Sequence, residues 1–193
     1  MPFFKDRNWL LKNVVGNWEV SPLYTFESPE YATVQSTVDT NLNGDTAGDR
    51  VVVNPAGVDG TGSGVRALKN SAGAIVAYVA NNPNARYITA GRGAWATGGR
   101  DTLATRHINN CDLALVKHFS ITERLRFDLF GDFLNVMNHP QFVPGLLNQI
   151  DSFRQSGSAV LNYLNPAKPV FNNPEATFSS NARTVVVGAK LVF

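Results

Sequence analysis

The sequence predicts an all-β fold built on about four long antiparallel strands, and three observations support this prediction. Apolar and polar side chains alternate in four segments, and alternation with period 2 is typical of strands. One tight turn joins two of these segments, and two long polar segments rich in Gly, Asn and Asp separate the others. The predicted strands cover about 14–27, 106–120, 123–138 and 182–193, and the predicted loops cover about 28–105 and 139–181.

The first predicted strand contains the stretch "NWEVSPLYTFE". Trp18, Val20, Tyr24 and Phe26 share one face of it, and polar residues occupy most of the other. Pro22 falls with the apolar set, and proline within a sheet is tolerated at an edge or a bulge.

The second and third strands form a hairpin over "NNCDLALVKHFSITERLRFDLFGDFLNVMNHPQF". Apolar residues on its two arms share one face, except for Lys117, and "SITE" forms the turn between the arms. Two strands of this length exceed the usual five or six residues of a strand in a soluble domain.

The last strand ends the chain with "ARTVVVGAKLVF". Its five alternate apolar residues share one face, and these are Val185, Val187, Ala189, Leu191 and Phe193. A further segment, 65–80, fits either a helix or a hairpin. Gly73 and the β-branched Ile75 and Val76 favour the hairpin.

Composition excludes several classes of protein. The net charge of +2, from 17 basic and 15 acidic residues, is too balanced for nucleic-acid binding. The single Cys111 excludes an internal disulfide and a cysteine-based zinc site. No apolar run reaches the 18 or so residues of a membrane helix. The opening "MPFFKDRNW" does not predict a signal peptide, because Lys5, Asp6 and Arg7 interrupt it.

The loop lengths indicate a particular kind of sheet. Ordinary compact domains avoid loops this long, whereas outer-membrane barrels combine short periplasmic turns with long extracellular loops and a lipid-facing apolar side. Lys117 is the exception on that side. A lysine at the bilayer midplane costs about 2–4 kcal/mol, so we expect Lys117, close to the turn, to extend toward the interface.

Charged residues alternate with the apolar set and so fall on the predicted lumen face. They could contact a plug or line a substrate path, or could simply supply the charges that a polar barrel interior needs. These lumen-facing residues are Asp112, Arg126, Asp128, Asp132 and Lys190.

The stretch "DTNLNGDTAGDR", 39–50, resembles a calcium loop in its first seven positions. An EF-hand needs a bidentate glutamate at the twelfth position, where this chain has Arg50, and the flanking segments predict strands rather than helices. A calcium loop of another kind remains open, and so does a solvated loop of local Asn and Asp turns. The ligands of that calcium site would be Asp39, Asn41, Asn43, Asp45 and Asp49. No other cofactor is expected.

"GRGAWA", 91–96, matches the dinucleotide fingerprint G-x-G-x-x-A in letters only. The fingerprint must open a helix, and no helical period follows it. We therefore expect no nucleotide site there, and no part of the sequence predicts an enzyme.

Three quoted stretches carry a family resemblance. The hairpin resembles the penultimate hairpin of TonB-dependent outer-membrane receptors of the Oar-like group. "VVGNWEVSPLYTFESPEYATV" resembles an earlier strand of the same barrel, and "GAKLVF" resembles the C-terminal strand of outer-membrane proteins. The resemblance implies energy-coupled transport of a substrate across the outer membrane of a Gram-negative-type bacterium.

The same resemblance implies an incomplete barrel. Such transporters have about 22 strands, and we expect this chain to supply four of them, without the signal peptide, the plug or the segment that contacts TonB. The expected partners are outer-membrane lipid, the missing N-terminal barrel and plug, the TonB system through those parts, and the barrel-assembly machinery. The last of these would recognise the C-terminal strand.

Two alternatives remain open. Three copies could close a barrel of 12 strands, but the known design of this kind carries a coiled coil, and the sequence has no heptads. A soluble β-sandwich could use the long loops to bind a ligand or carbohydrate, but it would need a second sheet to cover the apolar face.

Overall fold

The computed structural model describes Leu10, residues 14–142, Leu147 and residues 158–193. The segments 1–9 and 11–13, and much of the second predicted loop, 143–146 and 148–157, lie outside the described residues. The elements in chain order are β1 Trp18–Glu27, β2 Tyr31–Ala32, β3 Val52–Val53, β4 Val58–Ser63, β5 Val65–Lys69, β6 Ile75–Ala80, β7 Ala85–Ile88, β8 Leu103–Ala104, β9 Ile108–Ser120, β10 Arg126–Leu134, α1 Ala159–Leu164, α2 Pro174–Thr177 and β11 Thr184–Val192.

Two compact units divide the chain. The sheet unit comprises Met1–Glu27, Ile108–Gln141 and Asn181–Phe193, and the loop unit comprises Ser28–His107 and Phe142–Ser180. Within the described part of the chain, no helix combines the length and the apolar character needed to cross a bilayer.

The sheet unit is one antiparallel sheet with the strand order β1–β9–β10–β11. β9 has 13 residues, β1 has ten, and β10 and β11 have nine each. These four strands fall within the four predicted segments, and the all-β antiparallel class is confirmed. The barrel is not closed: among the described residues, β1 and β11 each pair along one edge only.

The hairpin turn is longer than the sequence predicted. We expected it to end at Glu123, but β10 begins at Arg126. The Thr122 hydroxyl accepts hydrogen bonds from the backbone amides of Arg124 and Leu125, at 3.4 and 3.0 Å. Such a hydroxyl turn competes with the strand ladder, and it delays the start of β10.

Asparagines in a left-handed conformation set two other strand limits. Asn17 (φ 58°) precedes β1, and Asn135 (φ 52°) follows β10. Asparagine tolerates this conformation better than most residues. The Asn135 amide then donates to Asp112 Oδ1 at 2.8 Å. The strands predicted to begin at 14 and to end at 138 are therefore shorter.

The loop unit contains elements that the polar pattern did not predict. β2 pairs with β8, and β7 lies between β3 and β4. A buried cluster forms the core of the unit, and its members are Ala32, Val34, Val51, Tyr87, Leu103, Leu147, Tyr163 and Leu164. The segments predicted as long loops thus have a small hydrophobic core of their own.

The ambiguous segment at 65–80 is a hairpin, because β5 and β6 pair antiparallel. Its turn depends on Asn70, whose Oδ1 accepts from the amides of Ala72 and Ala74 at 3.0 and 2.9 Å. Gly73 supplies the positive φ (81°) that the turn requires.

Candidate functional site

The four-stranded sheet has two chemically different faces, and the register of its strands defines them. We call the side that carries Leu129 the apolar face and the side that carries Asp128 the polar face. Large hydrophobic residues on the apolar face are open to the surroundings: Tyr24 and Phe26 are each 60% exposed, and Val187 is 71% exposed. Soluble monomers rarely expose a continuous apolar patch of this kind.

All five predicted lumen residues share the polar face. Asp128 lies opposite His118 on β9 and Lys190 on β11, and Asp132 lies opposite Ala114. Asp112 lies opposite Leu23 on β1, and Arg126 is two residues from Asp128 on the same strand. The register thus places these side chains on one surface.

A cluster of charged side chains occupies one part of the polar face. Asp128 Oδ1 lies 2.7 Å from His118 Nδ1 and 3.0 Å from Arg126 Nε. Glu19 Oε2 on β1 lies 3.7 Å from His118 Nε2. The cluster spans three strands, and it joins Arg126 and Asp128 through direct contacts.

The remaining predicted lumen residues do not join that cluster by a described contact. Asp112 accepts from Asn110 Nδ2 at 3.0 Å and from the Asn135 amide, so its carboxylate fixes the end of the hairpin. Asp132 faces Ala114 and Val186. Position on the polar face therefore does not by itself indicate a common site.

Glu19 and His118 belong to the charged cluster, but alternation along the sequence did not predict them as members. Period 2 places each on the polar side of its own strand, but it does not say which residues on neighbouring strands meet. The register supplies that information, since Glu19 pairs with Val116 and His118 pairs with Asp128.

Lys117 lies on the apolar face but is only 4% exposed. Its ammonium donates a hydrogen bond to the Gly16 carbonyl oxygen. The ammonium also lies 5.1 Å from the centroid of the Trp18 ring and 5.4 Å from that of Phe119. We expected this side chain to extend toward the membrane interface, but the aromatic rings of its neighbours enclose it.

The C-terminal strand has the predicted alternation in the described sheet. Val185, Val187, Ala189 and Leu191 lie opposite Phe133, Gly131, Leu129 and Phe127 on β10. Phe193 follows the end of β11 and is 96% exposed. The predicted assembly signal is therefore an edge strand with an exposed terminal aromatic ring.

The loop at 39–50 uses its side-chain oxygens for local turns. Asp39 accepts from the amides of Asn43 and Gly44, at 3.0 and 3.1 Å. Asn41 Oδ1 accepts from the Asn43 amide at 3.0 Å, and Asn43 Oδ1 accepts from the Asp45 amide at 2.8 Å.

Two further acidic residues of that loop are engaged in the same way. Asp45 Oδ1 accepts from the Ala47 amide at 2.9 Å. Asp49, only 5% exposed, accepts from the Thr40 amide at 3.2 Å and from the Thr40 hydroxyl at 3.0 Å. The described residues contain no group of three or more His, Cys, Asp or Glu side chains placed to hold a metal ion. This geometry matches the alternative of local Asn and Asp turns better than a calcium site.

The segment 91–96 does not open a helix in the structure, so it lacks the context that a dinucleotide fingerprint requires. The Ala94 amide bonds to the Gly91 carbonyl at 3.0 Å and closes a turn there instead.

Comparison with known proteins gives a family match. Residues 1–185 match the family model described as an outer membrane beta barrel domain. No curated protein and no solved structure gives a significant match to this chain.

Proposed function

This chain belongs to the outer membrane beta barrel domain family, and from that premise we propose that it is the C-terminal barrel part of a TonB-dependent, Oar-like receptor. The receptor would transport a substrate across the outer membrane, driven by energy from the TonB system. The protein performs no covalent chemistry in this proposal. Family membership supports the outer-membrane barrel, and the resemblance of the hairpin and the C-terminal strand supports the receptor type.

The two-faced sheet is the observation that carries the proposal. Its apolar face matches the hydrocarbon region of a bilayer, where every backbone polar group must be paired. The outer edges of β1 and β11 need neighbouring strands for the same reason. We therefore propose that the four strands belong to a larger closed barrel, whose other strands and plug complete the receptor.

The polar face supports a transport role for the interior. The cluster of Glu19, His118, Arg126 and Asp128 carries charges of both signs. In a barrel this surface would face the plug or the substrate path. The last strand, with Phe193 beyond its end, would be the part that the barrel-assembly machinery recognises.

The orientation of the barrel can be tested with epitope tags in the full receptor. One tag is inserted in the β5–β6 turn at Ser71, and a matched tag is inserted in the β9–β10 turn at Glu123. We expect antibody to label the first tag on intact cells, and the second only after the outer membrane is permeabilised. Labelling of both tags on intact cells, or of neither, would contradict the proposed orientation.

The receptor type is tested by the coding DNA upstream of Met1. We expect this DNA to encode, in frame, a plug domain and further strands in which apolar and polar residues alternate. A separate promoter directly before Met1 would contradict the receptor proposal. A folded monomer of the chain, monodisperse without detergent, would support the β-sandwich alternative instead.

A further inference from the structure

A groove in the loop unit lies between the segment 40–50 and the segment 93–96. Its volume is about 510 Å³, and Thr40, Asn41, Asp49, Arg50 and Trp95 contribute to its lining. The groove is distinct from the charged cluster of the sheet, and neither the family match nor the proposed transport assigns a role to it.

Backbone contacts fix both walls of this groove. The Gly93 amide donates to the Asp39 carbonyl at 3.4 Å, and the amides of Thr97 and Gly98 donate to the Val51 carbonyl at 3.1 and 2.8 Å. The wall at 40–50 is stiffened further by its Asn and Asp turns and by the Asp49 bonds to Thr40. A preorganised site loses less conformational entropy when a ligand binds.

Trp95 is the most unusual residue of the groove, because 87% of it is exposed. A folded protein gains little stability from an indole in this position, since burial is what stabilises a large aromatic side chain. The flat face of such a ring is well suited to pack against the apolar face of a ligand.

Polar side chains of both charge signs line the same groove as that ring, together with neutral ones. Arg50 supplies N–H donors, and the bond from its Nε to the Gly48 carbonyl at 3.2 Å orients the guanidinium. Asn41 supplies an amide, while Asp49 and Thr40 also line the groove but are buried and bonded to each other. A strongly anionic ligand would be repelled by Asp49, and a cationic one by Arg50. A neutral ligand with many hydroxyl groups can both donate to and accept from these side chains.

We propose that this groove binds a neutral saccharide, with Trp95 against one face of a pyranose ring and Arg50 and Asn41 bonding its hydroxyl groups. A peptide fits the groove less well, because the walls are loops rather than an open strand edge to which a peptide backbone could pair. The proposal concerns equilibrium binding by the loop unit, and it does not depend on energised transport.

The test measures binding to the full receptor purified in detergent micelles. The probes are four neutral hexasaccharides, namely cellohexaose, maltohexaose, xylohexaose and chitohexaose, with hexagalacturonate as an anionic comparison. We expect at least one neutral probe to bind and to change the tryptophan fluorescence, and hexagalacturonate to bind more weakly. Because the assay needs no TonB system, failure of transport and failure of saccharide binding give separate results.

Matched variants assign the binding to the groove. Trp95→Ala should weaken binding at least about tenfold, which corresponds to about 1.4 kcal/mol, while Trp18→Phe in the sheet should leave it unchanged. Arg50→Gln should also weaken binding, and Lys69→Gln, a loss of charge elsewhere in the loop unit, should not. Trp95 is exposed, so its removal should not unfold the chain, and circular dichroism checks this.

Three results would overturn the proposal. The first is that none of the four neutral probes binds. The second is that a probe binds equally well to the chain with Trp95→Ala. The third is that a random peptide library binds through Trp95 while every saccharide fails, which would assign the groove to peptides.

Discussion

Lys117 and Trp18 lie opposite each other on β9 and β1, with the lysine ammonium 5.1 Å from the centroid of the indole ring. Isolated charges are costly to bury unless they are paired. The Trp18 ring and the Gly16 carbonyl stabilise the charge of Lys117 on the apolar face of the sheet. Cation–π contacts contribute about 0.5–1 kcal/mol when exposed and about 2 kcal/mol when desolvated.

A double-mutant cycle should detect this pairing. We expect Trp18→Leu to destabilise the folded chain more when Lys117 is present than in a Lys117→Met background. The coupling should be about 0.5–2 kcal/mol, measured by denaturant unfolding of the full receptor in phospholipid vesicles. Trp18→Leu with Lys190→Met is the control, because Lys190 lies on the other face, and those effects should be additive. Additive effects for Trp18 and Lys117 as well would show that the contact contributes nothing.

The assignment of the two faces can be checked with adjacent residues of β9. Cys111 lies opposite Tyr24 on the apolar face, and Asp112 lies opposite Leu23 on the polar face. In the membrane-inserted receptor, Cys111 should react with an apolar maleimide but resist a sulfonated one. Asp112→Cys in a Cys111→Ser background should react with the sulfonated reagent. The reverse pattern would exchange the lipid and lumen faces.

Alternation within single strands was enough to predict the faces of the sheet. Trp18, Val20 and Tyr24 were grouped correctly, because the side-chain period of a strand is 2 in any sheet. Strand ends were predicted less well, since they depend on a single hydroxyl at Thr122 and on a left-handed Asn135. Such local bonds leave no periodic trace in the sequence.

The candidate sites were harder to predict for a related reason. The groove joins 40–50 to 93–96, and the charged cluster joins Glu19 to His118 and Asp128, so both depend on contacts between distant segments. Polar residues in a loop predict that the loop is exposed to solvent, but they do not predict which distant residues it contacts. The calcium pattern at 39–50 arose from residues whose oxygens bind the backbone of their own turn.

Gly188 makes room for an aromatic ring on the polar face. It lies opposite Phe130 on β10, and a Cβ at position 188 would collide with the Phe130 ring. We expect Gly188→Ala to destabilise the sheet by about 1–3 kcal/mol, the usual cost of overpacking. Gly131→Ala should cost less, because its nearest neighbour would be Phe133 Cε2 at 3.2 Å.

The same unfolding measurement supplies the control for Gly188. Adding Phe130→Leu to Gly188→Ala should recover part of the lost stability by removing the collision. If the double variant is no more stable than Gly188→Ala alone, the ring is not the cause.

Asp49 should matter more to the loop unit than any exposed acid of the segment 39–50. Asp49→Ala removes two hydrogen bonds to Thr40, so we expect a loss of about 2–3 kcal/mol in the stability of the unit. Asp45→Asn, at an exposed position, should change stability by about 0.5 kcal/mol or less. Hydrogen exchange of the amides in 39–50 measures both effects.

Calcium should have little influence on that segment, because its oxygens already accept backbone and hydroxyl hydrogens. We expect protease cleavage within 39–50 to proceed at the same rate with calcium chloride as with a chelator. Strong protection by calcium, abolished by Asp39→Asn, would restore the calcium-loop hypothesis.

Tyr163 should make the loop unit sensitive to alkaline pH. It is 1% exposed, and its hydroxyl donates to Asn172 Oδ1 at 3.3 Å. Burial raises the pKa of the Tyr163 hydroxyl, and the positive charge of Arg106 opposes this shift only in part. An acid whose pKa is higher in the folded state than the unfolded value of about 10 binds its proton more tightly when folded.

The stabilisation from this group is therefore fully present below about pH 10, the unfolded pKa, and is lost as the pH rises through the higher folded value. We expect denaturant unfolding of the loop unit to show falling stability over that range, with a shallower slope for Tyr163→Phe. Equal slopes for wild type and Tyr163→Phe would mean that Tyr163 ionises as easily in the folded chain as in the unfolded one.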